Sequence, residues 1–460
     1  MFTLCIWRLQ REVVAMTIVR DQSGIYRRPV DLLQQLIRFD TTNPPGNESE
    51  CIGYIDNLLT SAGIRTTILA RDPARPNLVA RLPGRGSAPP LLLYAHIDVV
   101  STENQNWKYP PFEGKVVDGC VWGRGAIDDK GGAAMSLCAF LRAKAEGFPL
   151  PGDVVLAILC DEETGGDFGA RYLVENHPDQ FAGITYAIGE TGGFTFYING
   201  YKFYPIMVAE KAYCALQAVV RGPAVHAYTT VVRGGATAKL GALLTRLDKA
   251  HLPVHVMPIV RQMFETISSS VPFPSNLILR QLLRPALTDM VLDFLGPRGQ
   301  SLYPLLHNTL NVTGIHGGEQ VAGTPAKISA DIIASLLPGY GPEDLLAELH
   351  PITGDEVELE VTKLGEIGPE MPNMGLFDTL VELLSEADPQ GVPIPMLFTS
   401  PTDARHFARL GIQTYGFQPM KLPPDMDIAK LAHGADERIP VEALEFGTMA
   451  IYKVLQRFGE

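Results

Sequence analysis

The chain is poor in cysteine and lacks long apolar runs, and each shortage excludes a class of protein. Its six cysteines are scattered, and none forms a CxxC pair. We therefore expect reduced, buried thiols and a cytoplasmic location, rather than a disulfide framework or a cysteine-ligated metal. No apolar run reaches the roughly 18 residues that a membrane-spanning helix needs. No small-residue cleavage site follows the mildly apolar residues 1–14, so we expect neither a membrane protein nor a signal peptide.

Charge is also scarce, and it is mainly of one sign. Charged residues make up 19% of the sequence, and the formal net charge is −13. This acidic balance argues against a nucleic-acid partner, whereas acidic clusters that bind cations would contribute to it. The phosphate-loop patterns GxGxxG and GxxxxGK[ST] are absent, which argues against a nucleotide enzyme. Hydrophobic residues make up 46% of the 460 positions, enough for a large core in two or three domains.

Three apolar runs of strand length end in residues that can bind metals or move protons. Residues 91–95 lead into His96 and Asp98, whose side chains point the same way because strand side chains alternate. Residues 153–160 lead into Glu162 and Glu163, and residues 184–189 lead into Glu190. Helical segments separate the runs, so the pattern predicts an α/β fold with a polar site along one edge of the sheet. The alternatives are a structural His–Asp hydrogen bond and a solvated acidic turn.

Two loops complete a set of candidate metal ligands. The glycine-rich loop GRGAIDDKGG places Asp128 just before a predicted helix, where an Asp pair serves equally well as a helix cap. The loop HGADE carries a histidine near the C-terminus. A nitrogen and oxygen ligand set without cysteine best suits two hydrolytic Zn²⁺ ions, with Co²⁺ or Mn²⁺ as alternatives. The candidate ligands are His96, Asp128, Glu163, Glu190 and His433.

The middle of the chain has a different pattern. Residues 211–221 and 357–362 alternate like antiparallel strands with one exposed face, and predicted helices lie between them. This pattern indicates an inserted α+β domain over residues 210–364, between two parts of an α/β domain at 1–209 and 365–460. Its long helical segment, residues 252–306, holds apolar side chains that could line an acyl pocket or simply form core.

Five strings of the sequence resemble the M20 family of metallopeptidases, in the same order and spacing. They are YAHIDVV, WKYPPFEGKVVDGCVWGRGAIDDKGG, CDEETGG, TDAR and HGADERIP. The family comprises aminoacylases, carboxypeptidases, dipeptidases and N-acyl-amino-acid deacylases, and the resemblance runs from about Asp31 to the C-terminus. It implies a di-zinc catalytic domain, with a mixed, mainly parallel sheet flanked by helices. It also implies an inserted α+β lid that usually mediates dimerisation, so we expect a homodimer.

The resemblance further implies which residues bind the metals. His96, Asp128 and Glu190 would bind one zinc ion. Asp128, Glu163 and His433 would bind the other, so that Asp128 bridges the two ions. The family often has a cis peptide bond after the bridging aspartate, which here is the Asp128–Asp129 bond.

The catalytic and substrate-binding roles follow from the same resemblance. Asp98 would orient His96, and Glu162 would be the general base that deprotonates the metal-bridging water and hands the proton to the leaving nitrogen. In the lid, His226 matches an oxyanion-stabilising histidine that the dimer partner often supplies. Asn311 matches a lid asparagine that can reach the substrate. Read without the family, His226 is a surface residue at a strand end and Asn311 a polar turn residue.

One departure from the family concerns the substrate carboxylate. Many relatives carry Arg-Leu-x-Pro-Gly at the end of a lid strand, where the arginine binds this group, but here Ser335 occupies the arginine position. Arg405 in TDAR is the remaining candidate, because guanidinium binds carboxylate in a bidentate manner. Its alternative role is an ion pair with Asp403 or another acid.

The sequence therefore predicts a metal-dependent amidohydrolase that cleaves N-acyl amino acids or short peptides. The first alternative is a di- or tripeptidase or carboxypeptidase acting on free-amine peptides. The second is a non-catalytic peptide-binding relative, which the complete set of ligands and the base disfavour.

Overall fold

The computed structural model describes residues 24–318 and 322–459. The predicted lack of a signal peptide concerns residues 1–14, which lie outside the described residues. The strands, β1 to β16 in chain order, are Thr66–Ala70, Pro76–Leu82, Leu91–His96, Lys115–Val117, Cys120–Trp122, Val154–Leu159, Tyr186–Gly189, Phe196–Ile198, Tyr201–Glu210, Ala212–Arg221, Thr309–His316, Lys327–Leu336, Val357–Leu364, Gly391–Phe398, Gln413–Gly416 and Arg438–Pro440.

Helices flank these strands. The α-helices, α1 to α14 in chain order, are Pro29–Ile37, Ser49–Ser61, Lys130–Glu146, Ala170–Asn176, Ala236–Lys249, Pro258–Ser270, Ser275–Gln281, Pro285–Leu295, Pro297–Leu302, Pro342–Thr353, Phe377–Ala387, Ala404–Ala408, Ile428–Leu431 and Val441–Arg457. Four short 3₁₀ helices lie at Ile25–Arg27, Glu162–Thr164, Pro178–Phe181 and Tyr303–Leu305. No α-helix among the described residues combines the length and apolar character needed to cross a membrane.

The main sheet has the strand order β1-β2-β6-β3-β7-β15-β9-β14, with β8 paired to β9. The neighbours β6, β3, β7 and β15 run parallel, whereas β1 and β2 add an antiparallel edge. Every residue of β3 and β6 is buried, which explains their unbroken apolar sequences. The predicted mixed, mainly parallel sheet flanked by helices is confirmed.

A separate antiparallel sheet forms the lid, in the strand order β11-β12-β10-β13. Helices α5 and α10 cover one face of it and share a small core with it that includes Leu216, Leu240, Ile332 and Leu345. The buried residues of β10 alternate with half-buried ones, as a strand with one covered face requires. A second α+β unit within residues 210–364 was therefore correctly anticipated, while the exact domain boundaries stay predictions.

The helices within residues 252–306 pack mainly on the main sheet, whereas Leu252 at the start of this segment belongs to the lid core. Helix α6 lies against β14, and Val260, Phe264 and Ile267 belong to the main core. Leu277 and Phe294 point outward and are 49% and 79% exposed. Of the two roles considered for the apolar residues of this segment, core formation accounts for those on α6.

Strand β9 was not among the predicted strands, although it lies inside the main sheet between β15 and β14. It carries Pro205 at its centre, and a proline normally argues against an internal strand because it lacks an N–H donor. The parallel partner β14 pairs with it around this position, where Ile394 lies opposite Pro205.

Candidate metal centre

The candidate site lies where three parallel strands end at the same edge of the main sheet. Strand β3 lies between β6 and β7 and ends at His96. Glu190 directly follows β7, and the 3₁₀ turn Glu162–Thr164 follows β6. Because parallel neighbours have their carboxyl ends on the same side, these residues converge although 94 positions separate His96 from Glu190 in the chain.

Two triads of side chains share Asp128. In the first, His96 Nε2 lies 3.1 Å from Asp128 Oδ1 and 3.5 Å from Glu190 Oε2. In the second, His433 Nε2 lies 3.1 Å from Asp128 Oδ2 and 3.2 Å from Glu163 Oε2. Within each triad the candidate ligand atoms lie within 4.8 Å of one another. Asp128 thus offers one oxygen to each triad, which is the arrangement of a bridging ligand.

The surroundings of these side chains fit two divalent cations. Glu163 Oε1 and Glu190 Oε1 are buried and have no hydrogen-bond partner in the part of the chain that the structure describes. Such burial is costly for a carboxylate unless a cation lies beside it. Hydrogen bonds to Asp128 and Glu163 raise the pKa of His433 to about 10. A proton on this imidazole thus supplies the positive charge that the carboxylates require. Two imidazoles and three carboxylates are ordinary ligands for hydrolytic divalent ions.

Beside the triads lies a cavity of about 670 Å³. Glu162 lines it next to Glu163 and His433. Burial, reinforced by the charge of Glu190, raises the pKa of the Glu162 carboxyl well above its usual range. A carboxylate that accepts a proton readily, in a cleft beside candidate metal ligands, is placed to act as an acid–base group.

Residues 92–457 match the family described as Peptidase family M20/M25/M40. The chain belongs to this family. Human N-fatty-acyl-amino acid synthase/hydrolase PM20D1 is 26% identical over 392 residues, which cover 81% of this chain and 75% of the human protein. The Probable carboxypeptidase S-like 2 of Dictyostelium discoideum is 24% identical over 77% of this chain and 69% of its own length.

A solved structure shows the same fold. The M20 family metallo-carboxypeptidase Sso-CP2 from Sulfolobus solfataricus superposes with a TM-score of 0.66 at 16% identity, covering 94% of this chain and 99% of that chain. Membership of the M20 family makes this protein a metallohydrolase of amide or peptide bonds with the family's dinuclear metal site.

Asp98 of this M20 protein has more partners than the sequence indicated. His96 Nδ1 lies 3.0 Å from the backbone oxygen of Asp98 and 3.4 Å from its carboxylate. The carboxylate also accepts the backbone N–H groups of Glu162 and Glu163, each at 3.1 Å, and the Asn43 amide at 2.8 Å. Burial opposes ionisation, but the hydrogen bonds from His96 and Asn43 outweigh it and lower the pKa of Asp98. Asp98 therefore holds the turn that carries Glu162 and Glu163 as well as the imidazole of His96.

Sequence reasoning missed Glu437, which holds the loop before Asp128. Its fully buried carboxylate accepts Arg124 Nη1 at 2.6 Å. It also accepts the backbone N–H groups of Gly125 at 3.0 Å, Ile127 at 2.7 Å and Asp128 at 3.0 Å. Burial raises the pKa of Glu437. The charge of Arg124 and the hydrogen bonds from Ile127 and Asp128 oppose this rise and so favour the ionised carboxylate. Glu437 lies in the string HGADERIP, four residues after His433. Its neighbours in the sequence do not show which groups its side chain contacts.

The backbone around the two loop ligands has unusual conformations. The Asp128–Asp129 peptide bond is cis, as the family resemblance implied. His433 has a φ of 61°, and its carbonyl accepts Gln105 Nε2 at 2.8 Å and Arg124 Nη2 at 3.1 Å. Arg124 thus contacts both the residue that holds the Asp128 loop and the backbone of His433.

Arg405 also lines the cavity, and it does not pair with Asp403. Neither carboxylate oxygen of Asp403 has a hydrogen-bond partner among the residues that the structure describes. Instead, Arg405 Nε donates to His406 Nε2 at 3.2 Å. Burial lowers the pKa of His406 to about 4, so that its neutral imidazole can accept this bond. Within the described ranges, neither terminal nitrogen of Arg405 has a hydrogen-bond partner, so both can bind another group.

The two lid candidates lie away from this cavity within one chain. His226 is exposed after β10, with its ring 5.6 Å from that of Tyr228. Asn311 lies on β11 opposite Ile333 and lines a different cavity, of about 700 Å³, between the lid and the helical segment. Ser335 Oγ donates to the backbone oxygen of Thr399 at 3.3 Å. The structure therefore brings the five candidate ligands, Glu162 and Arg405 together, but not His226 or Asn311.

Proposed function

We propose that this M20 enzyme hydrolyses the amide bond of N-acyl amino acids and that its native cofactors are two Zn²⁺ ions, for which Co²⁺ or Mn²⁺ can substitute. The proposal rests on one observation: two ligand triads share Asp128 in front of a cavity that also holds Glu162 and Arg405. The relatedness to an N-fatty-acyl-amino acid hydrolase favours an acylated amino acid over a peptide.

His96, Asp128 and Glu190 would hold one ion, and Asp128, Glu163 and His433 the other. When bound, the two ions polarise the substrate carbonyl and make a water molecule more acidic. Glu162 would remove the proton from the attacking water and deliver it to the leaving nitrogen, which its raised pKa assists.

The remaining residues would bind and orient the substrate. Arg405 is held through its Nε by His406 and would take the α-carboxylate of the substrate with its two terminal nitrogens. His226 would stabilise the oxyanion and Asn311 would contact the substrate. Neither residue lines the cavity of its own chain. These roles therefore require a homodimer in which the lid of one protomer reaches the cavity of its partner. The described cysteines form no disulfide bond with one another, and free thiols favour a cytoplasmic location.

The second candidate is a carboxypeptidase or dipeptidase that acts on free-amine peptides. The relatedness to Probable carboxypeptidase S-like 2 favours it. A non-catalytic peptide-binding protein is disfavoured because both candidate triads are complete, and Glu162 lines the cavity together with Glu163 and His433.

A substrate panel distinguishes the candidates. The purified protein is loaded with Zn²⁺, Co²⁺ or Mn²⁺ and assayed on N-acyl amino acids and on the matching free-amine dipeptides. We expect hydrolysis of the acylated series, and Glu162→Gln should retain the metal but lose turnover by about 10²–10⁴-fold. Cleavage of dipeptides alone would replace the proposal by the second candidate. Failure to bind any divalent ion would overturn both.

A further inference from the structure

A β-bulge in the lid strand β13 changes the direction of one lysine. Strand β13 pairs with β10, with Val361 opposite Leu216 and Lys363 opposite Ala215, so that Thr362 is an extra residue in the ladder. Before this point, alternate residues of β13, including Val361, pack against the core beneath the lid helices. Thr362 Oγ1 donates to the backbone oxygen of Ala215 at 3.2 Å.

The bulge places Lys363 on the open face of the lid sheet. In a regular strand, Lys363 would share the face of Val361, because side chains two residues apart point the same way. The extra residue instead puts Lys363 on the face of Ala215, opposite to that of the buried Leu216. Bulges commonly redirect a side chain beside an active site.

On this face, Lys363 lines the same cavity as Glu162, Glu163 and Arg405. Its ammonium group lies 6.0 Å from the ring centroid of Tyr213, which also lines the cavity. The lid thus contributes a cation to a cavity whose catalytic groups all come from the main domain.

Lys363 has no carboxylate ion-pair partner within residues 24–318 and 322–459. Two other cations of the cavity wall, Arg171 and Arg409, both form ion pairs with Glu175. Among the described residues, Lys363 and Arg405 form no direct ion pair with a carboxylate, although the cavity wall is rich in acids. Burial raises the pKa values of Glu210 and Asp403, and the charge of Arg405 opposes this rise. Two unpaired cations from different domains, facing one cavity, point to an anionic group on the ligand.

We propose that Lys363 determines specificity by binding the substrate carboxylate together with Arg405. This inference rests on the proposed function. It extends that function because one of the two cations that bind the substrate carboxylate comes from the lid. Arg405 supplies a planar fork from the main domain, and Lys363 supplies a mobile point charge from the lid. Ser335 cannot contribute a charge, and its hydroxyl is bonded to the backbone of Thr399.

The test compares an N-acyl amino acid with its neutral C-terminal carboxamide. Steady-state kinetics are measured for the Zn²⁺-loaded wild type, Lys363→Met and Lys363→Arg. The control is Lys327→Met, which removes an exposed lysine at the far end of the lid sheet, where β12 pairs with Arg221. Lys363→Met should raise KM for the acid by about 10–100-fold with little change in kcat, as expected for loss of one charge-assisted hydrogen bond. Lys363→Arg should restore most of the affinity.

The carboxamide tests whether Lys363 acts on the substrate carboxylate, because this substrate lacks the carboxylate charge. Lys363→Met should leave kcat/KM for the carboxamide unchanged, so the preference of the wild type for the acid should shrink by the same factor. An equal loss on both substrates would show a structural role, and an unchanged KM for the acid would show no role; either overturns the inference and leaves the proposed function standing. Hydrolysis of neither substrate by the wild type would overturn the proposed function and this inference with it.

Discussion

Glu437 gives the sharpest test of how the Asp128 loop is held. The side chain is fully buried, and its two oxygens accept four donors. Arg124 Nη1 and the Gly125 N–H bond to Oε2, and the N–H groups of Ile127 and Asp128 bond to Oε1. Glu437→Gln keeps the shape of the side chain but replaces one of the two oxygens by an NH₂ group and removes the charge.

The magnitude follows from the number of donors that lose an acceptor. In the variant, two of the four donors face an NH₂ group, and each buried, unsatisfied donor costs about 1–3 kcal/mol. The buried Arg124 also loses its carboxylate, and removing one partner of a buried ion pair costs about 3–5 kcal/mol. Because the unsatisfied donors and the broken ion pair belong to one network, their costs are not additive. We therefore expect the free energy of unfolding to fall by about 3–5 kcal/mol. Metal affinity should fall by about 10–100-fold, because Asp128 is no longer fixed through its backbone.

Two measurements check this reasoning. Urea denaturation of the metal-free protein gives the loss in unfolding free energy, and titration calorimetry with Zn²⁺ gives the loss in affinity. Glu445→Gln is the control, because this exposed residue of α14 should change stability by no more than about 0.5 kcal/mol. If Glu437→Gln lost less than about 1 kcal/mol and bound Zn²⁺ like the wild type, the loop would not depend on this carboxylate.

Four further predictions concern the metal site and the cavity. At pH 7 the metal-free protein carries a proton on His433, whose pKa is raised from 6.5 to about 10, so Zn²⁺ must displace it. Apparent Zn²⁺ affinity should therefore rise with pH up to about 10, with proton release detected by calorimetry in buffers of different ionisation enthalpy; a pH-independent affinity would contradict this. The raised pKa of His433 also stabilises the folded, metal-free protein. This contribution to the free energy of unfolding is fully present below pH 6.5, and urea denaturation should show it disappearing as the pH rises through about 10. Asp98→Asn should weaken Zn²⁺ binding by about 10–100-fold, because its NH₂ group would face a backbone N–H of the turn at Glu162; an unchanged dissociation constant would exclude the positioning role. Arg405→Lys should raise KM for N-acyl amino acids by about tenfold at similar kcat, because lysine lacks the bidentate fork; equal KM values in steady-state assays would remove Arg405 from the substrate site.

The sequence was most informative where a local pattern reports a local structure. The apolar runs before His96, Glu162 and Glu190 were predicted as parallel strands with functional ends, and each strand is in place in the main sheet. The change to alternating patterns near residue 210 predicted a separate antiparallel unit, which is the lid sheet. Both predictions succeeded because the spacing of apolar residues along a strand shows which of its faces are buried.

The failures concern contacts between distant segments. Sequence reasoning assigned residues 252–306 to the inserted lid domain, whereas helix α6 packs on β14 of the main sheet. The partners of Glu437 lie 309 to 313 positions away, so no window of sequence could show them. The direction of Lys363 depends on one extra residue in a strand register that only pairing with β10 defines.

The sequence by itself determined the family, the class of fold and the identity of the candidate ligands, because these depend on residue type, spacing and hydrophobic period. Only the tertiary structure decided which oxygen of Asp128 faces which histidine, and which side chains hold the loops in place. It also decided which cations of the cavity are left unpaired. These properties depend on distances of a few ångströms between segments that are remote in the chain, and such distances are set by packing and strand register rather than by local preference.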